Sequence, residues 1–229
     1  MNSTVLEIRK ELLDKWSEVE QNIDRMITTK LSEVSYWKYA SDEYYTHLPY
    51  FHEINKFKRG RILKNITESE RFSKRMIHSF GFNELDQLIM MQYPQADNDL
   101  KLGTGTQIYT INSDKSVNAY VTRWYPENNI PTKLSAISVY KPLDERSWLD
   151  VGIGGKKDWS AMNYIYNDSN KMEKVVSCNS NVETPLCYDF IYDNEEKLEK
   201  IMIGEVVWWK RKNNQKVKNY NPIKDEHKL

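Results

Sequence analysis

The first thirty residues carry apolar side chains at the spacing of one helix face. Thr4 and Glu7 have the spacing of a capping box, in which a hydroxyl and a carboxylate satisfy each other's backbone donors at a helix start. Beyond them, apolar residues recur at helical intervals: Val5, Leu12, Trp16, Val19, Ile23 and Met26. The pattern predicts an amphipathic helix that runs to about Lys30 and packs on a neighbouring element.

Three further segments before residue 95 are interpreted as helices. The segment 34–48 has a helical period and stops near Pro49, since proline disfavours helical geometry in the residue before it. A second capping box, Thr67 with Glu70, predicts a helix that ends at Gly81, and Asn83 is expected to cap a short helix through residue 91. Residues 1–94 are therefore predicted to be a helical region, and the polar segment 95–106 its joint to the rest.

From Gln107 onward the apolar period changes to two. Val117, Ala119 and Val121 alternate with Asn118, Tyr120 and Thr122, which is typical of a strand with unlike faces. Short polar links separate the later runs, and strands joined so closely must be antiparallel. The stretch Ile201–Trp209 is apolar on both faces and predicts a strand covered on both. We expect an α+β fold, with N-terminal helices packed on a C-terminal antiparallel β-meander over 107–212, and a flexible tail over 213–229.

One pattern occurs twice in the second half of the chain. Tyr164–Val175 and Phe190–Ile201 each consist of an aromatic strand end, an Asn/Asp-rich turn and a returning strand that alternates charged and aliphatic residues. Asn and Asp tolerate the backbone geometry that tight hairpins require. The repeat therefore predicts two similar β-hairpins.

Charge and hydropathy limit the classes of protein that the chain fits. Lysine plus arginine number 33 and aspartate plus glutamate 33, so the basic surplus of a dedicated nucleic-acid binder is missing. No stretch approaches the roughly 18 apolar residues that a membrane helix needs. The charged N-terminus does not resemble a signal peptide. We expect a soluble cytoplasmic protein that does not interact with membranes.

Residues with catalytic or metal-binding chemistry are present, but their spacing predicts no site. The four histidines lack metal-ligand spacing, and the Gly-rich segments 103–105 and 152–157 do not have the spacing of a phosphate-binding loop. If Val182-Glu183 is the centre of a hairpin, Cys178 and Cys187 lie opposite each other as structural thiols. We therefore predict no catalytic residue, no metal and no cofactor.

Aromatic residues are the one compositional excess, with 15 Tyr, 7 Trp and 6 Phe. Tyr and Trp are enriched at protein interfaces and often dominate their binding energy. The adjacent pairs Trp124-Tyr125 and Trp208-Trp209 are expected to point to opposite faces of a sheet, so one member of each needs cover from a helix or a partner. The predicted partner-binding residues are Trp124, Tyr125, Trp148, Trp159, Trp208 and Trp209.

Two basic runs support an alternative function. They lie beside Phe57 and Trp209, and cations mixed with aromatic rings suit single-stranded nucleic acid. The candidate residues are Lys56, Lys58, Arg59, Arg61, Lys210, Arg211 and Lys212. This alternative is a nucleic-acid-binding or nucleic-acid-processing factor, but the neutral chain makes nucleic acid the less expected partner. A small-molecule binder with an aromatic-lined cavity is a third possibility.

With these two aromatic hairpins, Tyr164–Val175 and Phe190–Ile201, the chain resembles the immunity (antitoxin) proteins of bacterial polymorphic-toxin systems. The resemblance implies a small, cytoplasmic, non-enzymatic protein that binds one toxin domain and blocks its active site. The expected partner is therefore a cognate toxin.

Overall fold

The computed structural model describes residues 3–67, 70, 77–94, 104–124, 132–155 and 158–212. These residues form a long helix α1 (Ser3–Glu33), a short helix α2 (Phe51–Asn55) and thirteen strands. In chain order the strands are β1 (Tyr36–Ala40), β2 (Ile62–Leu63), β3 (His78–Phe82), β4 (Leu88–Pro94), β5 (Thr104–Ile111), β6 (Val117–Trp124), β7 (Lys133–Pro142), β8 (Ser147–Gly154), β9 (Trp159–Tyr166), β10 (Met172–Asn179), β11 (Val182–Tyr192), β12 (Leu198–Ile203) and β13 (Val206–Lys210).

All thirteen strands belong to one sheet. From β13 down to β3 every strand pairs with its neighbour in sequence, and β1 and β2 follow β3 at the far edge. The pairings between described strands are antiparallel throughout. The predicted fold class, α+β with an N-terminal helix on an antiparallel β-meander, is confirmed. Within the described residues, neither helix is both long and apolar enough to span a bilayer.

Helix α1 confirms the first prediction from the sequence. It buries one stripe of side chains, Val5, Ile8, Leu12, Ile23 and Ile27, and leaves the opposite side in solvent. The stripe joins a core cluster with residues of β4, β7 and β8, among them Met90, Ile137 and Val151. We call the side of the sheet that carries α1 the outer face.

The helix predicted over 34–48 is wrong, because its first part forms β1 and pairs with β3 from Tyr36↔Phe82 to Ala40↔His78. The helix predicted from Asn83 is wrong as well. Asn83 ends β3, and its side-chain oxygen accepts hydrogen bonds from the backbone amides of Leu85 (3.1 Å) and Gln87 (2.9 Å). An Asn that can cap a helix can equally close a hairpin turn, and here the turn joins β3 to β4.

The second capping box is present as predicted. The amide of Thr67 donates to Glu70 Oε2 (3.0 Å), and the amide of Glu70 donates to Thr67 Oγ1 (3.3 Å). The predicted end of that helix at Gly81 is wrong, because His78–Phe82 forms β3. Residues 68–69 and 71–76 lie outside the described residues, as do most of the joint 95–106 and the tail 213–229. Strands β1 to β4 thus extend the sheet into the region that was predicted to be helical.

One turn geometry recurs at the same end of four hairpins. The turns begin at Asn83, Asn112, Asn167 and Asp193. In each turn the backbone amide of the first residue donates a hydrogen bond to the carbonyl four residues later. The amide of the fourth residue donates to the carbonyl of the first. The fourth residue has a positive φ in every case: Asp86 58°, Lys115 68°, Asn170 56° and Glu196 64°. Such a turn with a left-handed residue matches the twist of paired strands. The two predicted hairpins are therefore confirmed as two copies of a motif present at least four times.

Residues 41–61, which include α2, cross the opposite side of the sheet. We call this segment the strap and the side it covers the inner face. Its aromatic rings contact strands along the length of the sheet, with distances measured between ring centroids. Tyr45 lies 5.1 Å from Phe80 of β3, and His47 lies 5.1 Å from Tyr109 of β5. Tyr50 lies 4.9 Å from Phe190 of β11. At the far end the indole nitrogen of Trp208 in β13 donates to the carbonyl of Ile54 (2.6 Å).

The length of the strap requires a curved sheet. Ten strand spacings separate β3 from β13, which is about 48 Å in a flat sheet. The nine residue steps from Tyr45 to Ile54 reach at most roughly 32 Å when extended, and the last part of this segment is helical. The sheet must therefore bend around the strap, which makes the inner face concave.

The two arms of the strap are held together at its base. The amide of Gly60 donates to the carbonyl of Glu43 (2.9 Å), and a ring nitrogen of His52 lies 3.0 Å from the same oxygen. A Cβ atom at Gly60 would lie 2.4 Å from the carbonyl oxygen of Asp42. Glycine is thus the residue that permits this close approach.

The last predicted strand, Ile201–Trp209, is instead a hairpin. Strands β12 and β13 are joined by a turn at Gly204-Glu205, where Gly204 has a φ of 56°. Their register shifts between Ile201↔Trp209 and Met202↔Val207, which marks Trp208 as the extra residue of a β-bulge. Consequently Trp208 and Trp209 both pack on the inner core cluster, and the expectation that they face opposite sides is wrong.

The predicted pairing of the cysteines is also wrong. The β10–β11 hairpin turns at Ser180-Asn181 rather than at Val182, so Cys187 lies opposite Val176. Cys178 is partly buried and pairs on its other side with Ala161 of β9. Both thiols are free, and Cys187 is exposed.

Candidate functional site

The two faces of the sheet are not covered equally along its length. Both faces of β8 are buried. On the inner face Trp148 packs with Tyr140 of β7 under the strap, and on the outer face Leu149 and Val151 pack under α1. In β10 to β13 the inner residues Val175, Phe190 and Ile201 are buried, but the residues that alternate with them and point to the outer face are partly or fully exposed. The main contacts of α1 are with β8, β7 and β4, so its cover stops short of the last strands.

We call this uncovered surface the outer face of β10–β13. It includes Lys174, Val176, Cys187, Asp189, Ile191, Lys200, Met202, Val207 and Lys210. Three aliphatic or thioether side chains lie at its centre. Ile191 is 38% exposed and Val207 is 49% exposed, and Met202 is partly exposed between their strands. Exposed apolar side chains grouped on a rigid sheet are a common feature of protein-binding surfaces.

The strand register orders this face into rows. One row runs Ile191↔Lys200↔Lys210, and the next runs Asp189↔Met202↔Val207. Asp189 is neutralised by Lys174 of β10, whose Nζ lies 3.5 Å from its Oδ1. Lys200 and Lys210 are directly opposite each other, and like charges in that position destabilise a strand pair. The face therefore holds an aliphatic centre beside an unbalanced pair of cations.

An open cleft of about 650 Å³ adjoins the same face at β9. It is lined by acidic residues, Asp144, Glu145 and Glu173, together with Arg146 and the β9 residues Asn163 and Ile165. Ile165 pairs directly with Lys174 of β10. The uncovered surface thus has an acidic end at the cleft and a basic end at β13.

Most of the tryptophans proposed as contacts lie in or against the core. Trp148 is 2% exposed and stacks on Tyr140 at 4.8 Å between centroids, so its side chain does not reach the surface. Trp159 is partly buried on the outer face of β9, with the Arg9 guanidinium of α1 6.0 Å from its ring centroid. Trp208 lies 5.9 Å from Tyr188, again between centroids.

Trp124 ends β6, and its side chain, like the whole of Tyr125, lies outside the described residues. The aromatic excess is therefore largely explained by the inner core, where tyrosines, phenylalanines and tryptophans fill the space between the sheet and the strap. Aromatic pairs of this kind stabilise a core beyond their buried area.

The two basic runs, far apart in sequence, meet at the β13 end of the molecule. The ammonium of Lys56 lies 3.6 Å from the ring centroid of Trp208, two residues before Lys210. Part of this charge is neutralised internally, since Arg59 lies 3.7 Å from buried Glu53 and Arg211 pairs with Asp193. The side chains of Lys58, Arg61, Lys210 and Lys212 are exposed.

Titratable groups are buried on the inner face. Desolvation lowers the pKa of His47 and of His52 to about 4 and raises the pKa of Asp150 to about 7. Burial, together with the neighbouring Asp42 carboxylate, raises the pKa of Glu43 to about 7. Within the described ranges these groups do not assemble into a set of three metal ligands.

The outer face of β10–β13 is not among the sites predicted from the sequence. The sequence does contain an indication of this face, because apolar residues occupy both odd and even positions of these strands. Examples are Ile191 beside Tyr192, and Met202 between Ile201 and Ile203. Such a pattern predicts cover on both faces but cannot show which layer another part of the chain supplies. The comparisons add no further indication, because no family model, curated protein or solved structure matches this chain.

Proposed function

We propose that the chain is a non-enzymatic, protein-binding inhibitor, an immunity protein of the cytoplasm that neutralises a cognate toxin by occluding its active site. The observation that carries the proposal is the outer face of β10–β13, where Ile191, Met202 and Val207 remain accessible on strands whose inner side is covered. Binding a partner would give this face the second layer that α1 gives to β8.

The scaffold suits such a role because it holds the face rigidly. Ladder hydrogen bonds join β10 to β13 continuously, and the strap braces their inner side through Tyr50 and Trp208. A preorganised surface loses little conformational entropy when a partner binds. Burial of the apolar side chains on this face can therefore contribute more fully to the free energy of binding.

Charge substitution within the apolar centre is the test. Ile191→Asp should abolish stoichiometric capture of the partner from the native host, whereas Leu85→Asp should not. Leu85 is the matched control because it is also an exposed aliphatic residue (68%), but in the turn between β3 and β4.

Growth rescue then distinguishes inhibition from mere association. The captured protein is expressed in cells that lack this chain, where it should arrest growth, and the wild-type chain and L85D should restore growth while I191D does not. If the wild-type chain gives no protection against any captured protein, the proposal is wrong.

Nucleic-acid binding is the second candidate, and the contact between Lys56 and Trp208 favours it by joining a cation and a ring at the meeting point of both basic runs. Binding of labelled single-stranded DNA and RNA is measured across salt concentrations. A steep loss of affinity with salt that weakens in a Lys58→Glu, Lys210→Glu variant would support this candidate.

A further inference from the structure

In the described part of the chain, β13 is the last strand of the sheet, and one of its edges, beside the outer face of β10–β13, has no paired strand. Resting on the proposed function, we propose that the toxin adds an extended segment to this edge, with an acidic residue opposite Lys210 and an aliphatic residue opposite Val207. The interaction is β-strand addition, in which main-chain hydrogen bonds provide affinity and alternate side chains provide specificity.

The edge is suited to pairing. Among the strands that the structure describes, β13 pairs with β12 alone, and an edge strand presents a row of unpaired amides and carbonyls to solvent. Val206 is 64% exposed and Val207 49% exposed, so its first residues are open on their side-chain surfaces as well. The opposite edge, β2, is only two residues long, which makes it a poor template.

The rows across β12 and β13 define the chemistry of an added strand. Next to Lys200 and Lys210, a carboxylate would relieve the repulsion between two opposed ammonium groups. Next to Met202 and Val207, an aliphatic side chain would extend the apolar row. In a strand without a bulge these two residues are two positions apart, as Lys200 and Met202 are in β12.

The same charges disfavour a second copy of this chain as the occupant. A second β13, Val206–Lys210, carries no carboxylate within the strand and would bring another Lys210, with Lys200 beside it on β12, close to the first such pair. Lysine at an exposed edge is a known device against self-pairing. The edge of β13 is therefore expected to pair with a strand that carries an acidic residue rather than with a second copy of β13.

The test uses a defined probe and the full-length chain. Fluorescein-labelled eight-residue peptides of alternating glutamate and valine, or lysine and valine, are titrated with the protein, and binding is followed by fluorescence polarisation. We expect the glutamate peptide to bind about ten-fold more tightly than the lysine peptide. Lys210→Glu should reverse this order, whereas Lys15→Glu, on the exposed side of α1, should leave it unchanged.

A second probe separates pairing along the edge from docking on the face. Methylating the amide nitrogen of every second residue removes main-chain donors from one side of the peptide, so one of the two possible methylated peptides should lose binding. Equal binding of both methylated peptides, or a charge preference unaffected by K210E, overturns the inference.

The growth assay distinguishes this inference from the proposed function. If wild-type chain protects cells from the captured toxin and K210E protects equally well, the edge is not the contact although the chain is an inhibitor. If wild-type chain gives no protection, the proposed function fails, while the peptide preference still reports the chemistry of the edge.

Discussion

Strand β8 and strands β10–β13 belong to one continuous sheet but have different surroundings. In β8 the outer residues Leu149 and Val151 are buried by α1, and the inner Trp148 is buried beneath the strap. In β10–β13 the inner cover is the same, but the outer Ile191 and Val207 remain exposed. The last strands thus obtain their stability from one face, which leaves the other available for recognition.

The difference follows from how far each covering segment reaches along the sheet. The strap is anchored at both ends of the curved sheet, through Tyr45 at β3 and Ile54 at β13. Helix α1 packs on the other side, where its main contacts are with β8, β7 and β4, so it covers only part of the strands. The uncovered face therefore lies beyond the reach of α1.

We expect the greatest loss of stability from a substitution in β8, which is covered on both faces. Trp148→Ala should destabilise the chain by about 3–5 kcal/mol, because it removes a buried indole from a close-packed core. Ile191→Ala, on the uncovered face, should cost below about 1 kcal/mol. Chemical denaturation of both variants checks the comparison, which equal losses would contradict.

The next effect concerns the buried carboxyl group of β8. The folded pKa of Asp150 lies near 7, above its unfolded value, so the folded state keeps a proton that the unfolded chain releases as pH rises from about 4 to 7. Stability from this group is therefore highest at low pH and is lost across that window. The loss is at most about 4 kcal/mol.

Asp150→Asn removes this titration. Relative to wild type, the variant should gain stability between pH 4 and pH 8, as measured by urea denaturation at each pH. His47 acts in the opposite sense, because its lowered pKa favours folding as pH rises from about 4 to 6.5, and it is common to both proteins. A wild-type-to-variant difference that does not change with pH would show that Asp150 is not protonated in the folded chain.

A smaller effect is expected where the strap closes on itself. Gly60→Ala forces the added Cβ atom against the carbonyl of Asp42 and should cost about 1–3 kcal/mol. Gly154→Ala is the matched control, since its nearest new contacts are at 3.9 Å. Thermal unfolding of the two variants should differ clearly, and equal melting temperatures would mean that the strap arms can move apart freely.

The weakest effect on stability is expected from the two opposed lysines of β12 and β13. Lys200→Glu places a carboxylate opposite Lys210 and should stabilise the free chain by about 0.5 kcal/mol, since it replaces repulsion by attraction. The rise in melting temperature should shrink at high salt. A destabilised K200E chain would show that the two lysines do not repel each other in the free protein.

The sequence predicts what local chemistry determines. Helix α1 follows from one stripe of apolar residues, and the hairpin turns follow from Asn167 and Asp193 at the ends of aromatic strands. The same local reasoning fails at Asn83, because one side chain can cap a helix or close a turn, and pairing with β5 decides between them. Tertiary pairing overrides propensity there.

The candidate face depends on contacts that no local pattern contains. Ile191 and Tyr192 are neighbours of similar hydrophobicity, yet the strap covers Tyr192, whose hydroxyl lies 3.5 Å from that of Tyr50, 142 residues earlier. Likewise Trp208 lies on the inner side because of the β-bulge, and its indole nitrogen donates a hydrogen bond to the carbonyl of Ile54. Which tryptophan is buried therefore follows from the path of residues 41–61.

That path also links the two ends of the chain during synthesis. Ile54 leaves the ribosome long before Trp208, 154 residues later, exists to donate its hydrogen bond. Contacts of such high sequence separation form late and slow the folding of a β protein. The strap must remain without this contact until β13 has been synthesised, and a chain truncated before β13 would lack the final anchor for its own early residues.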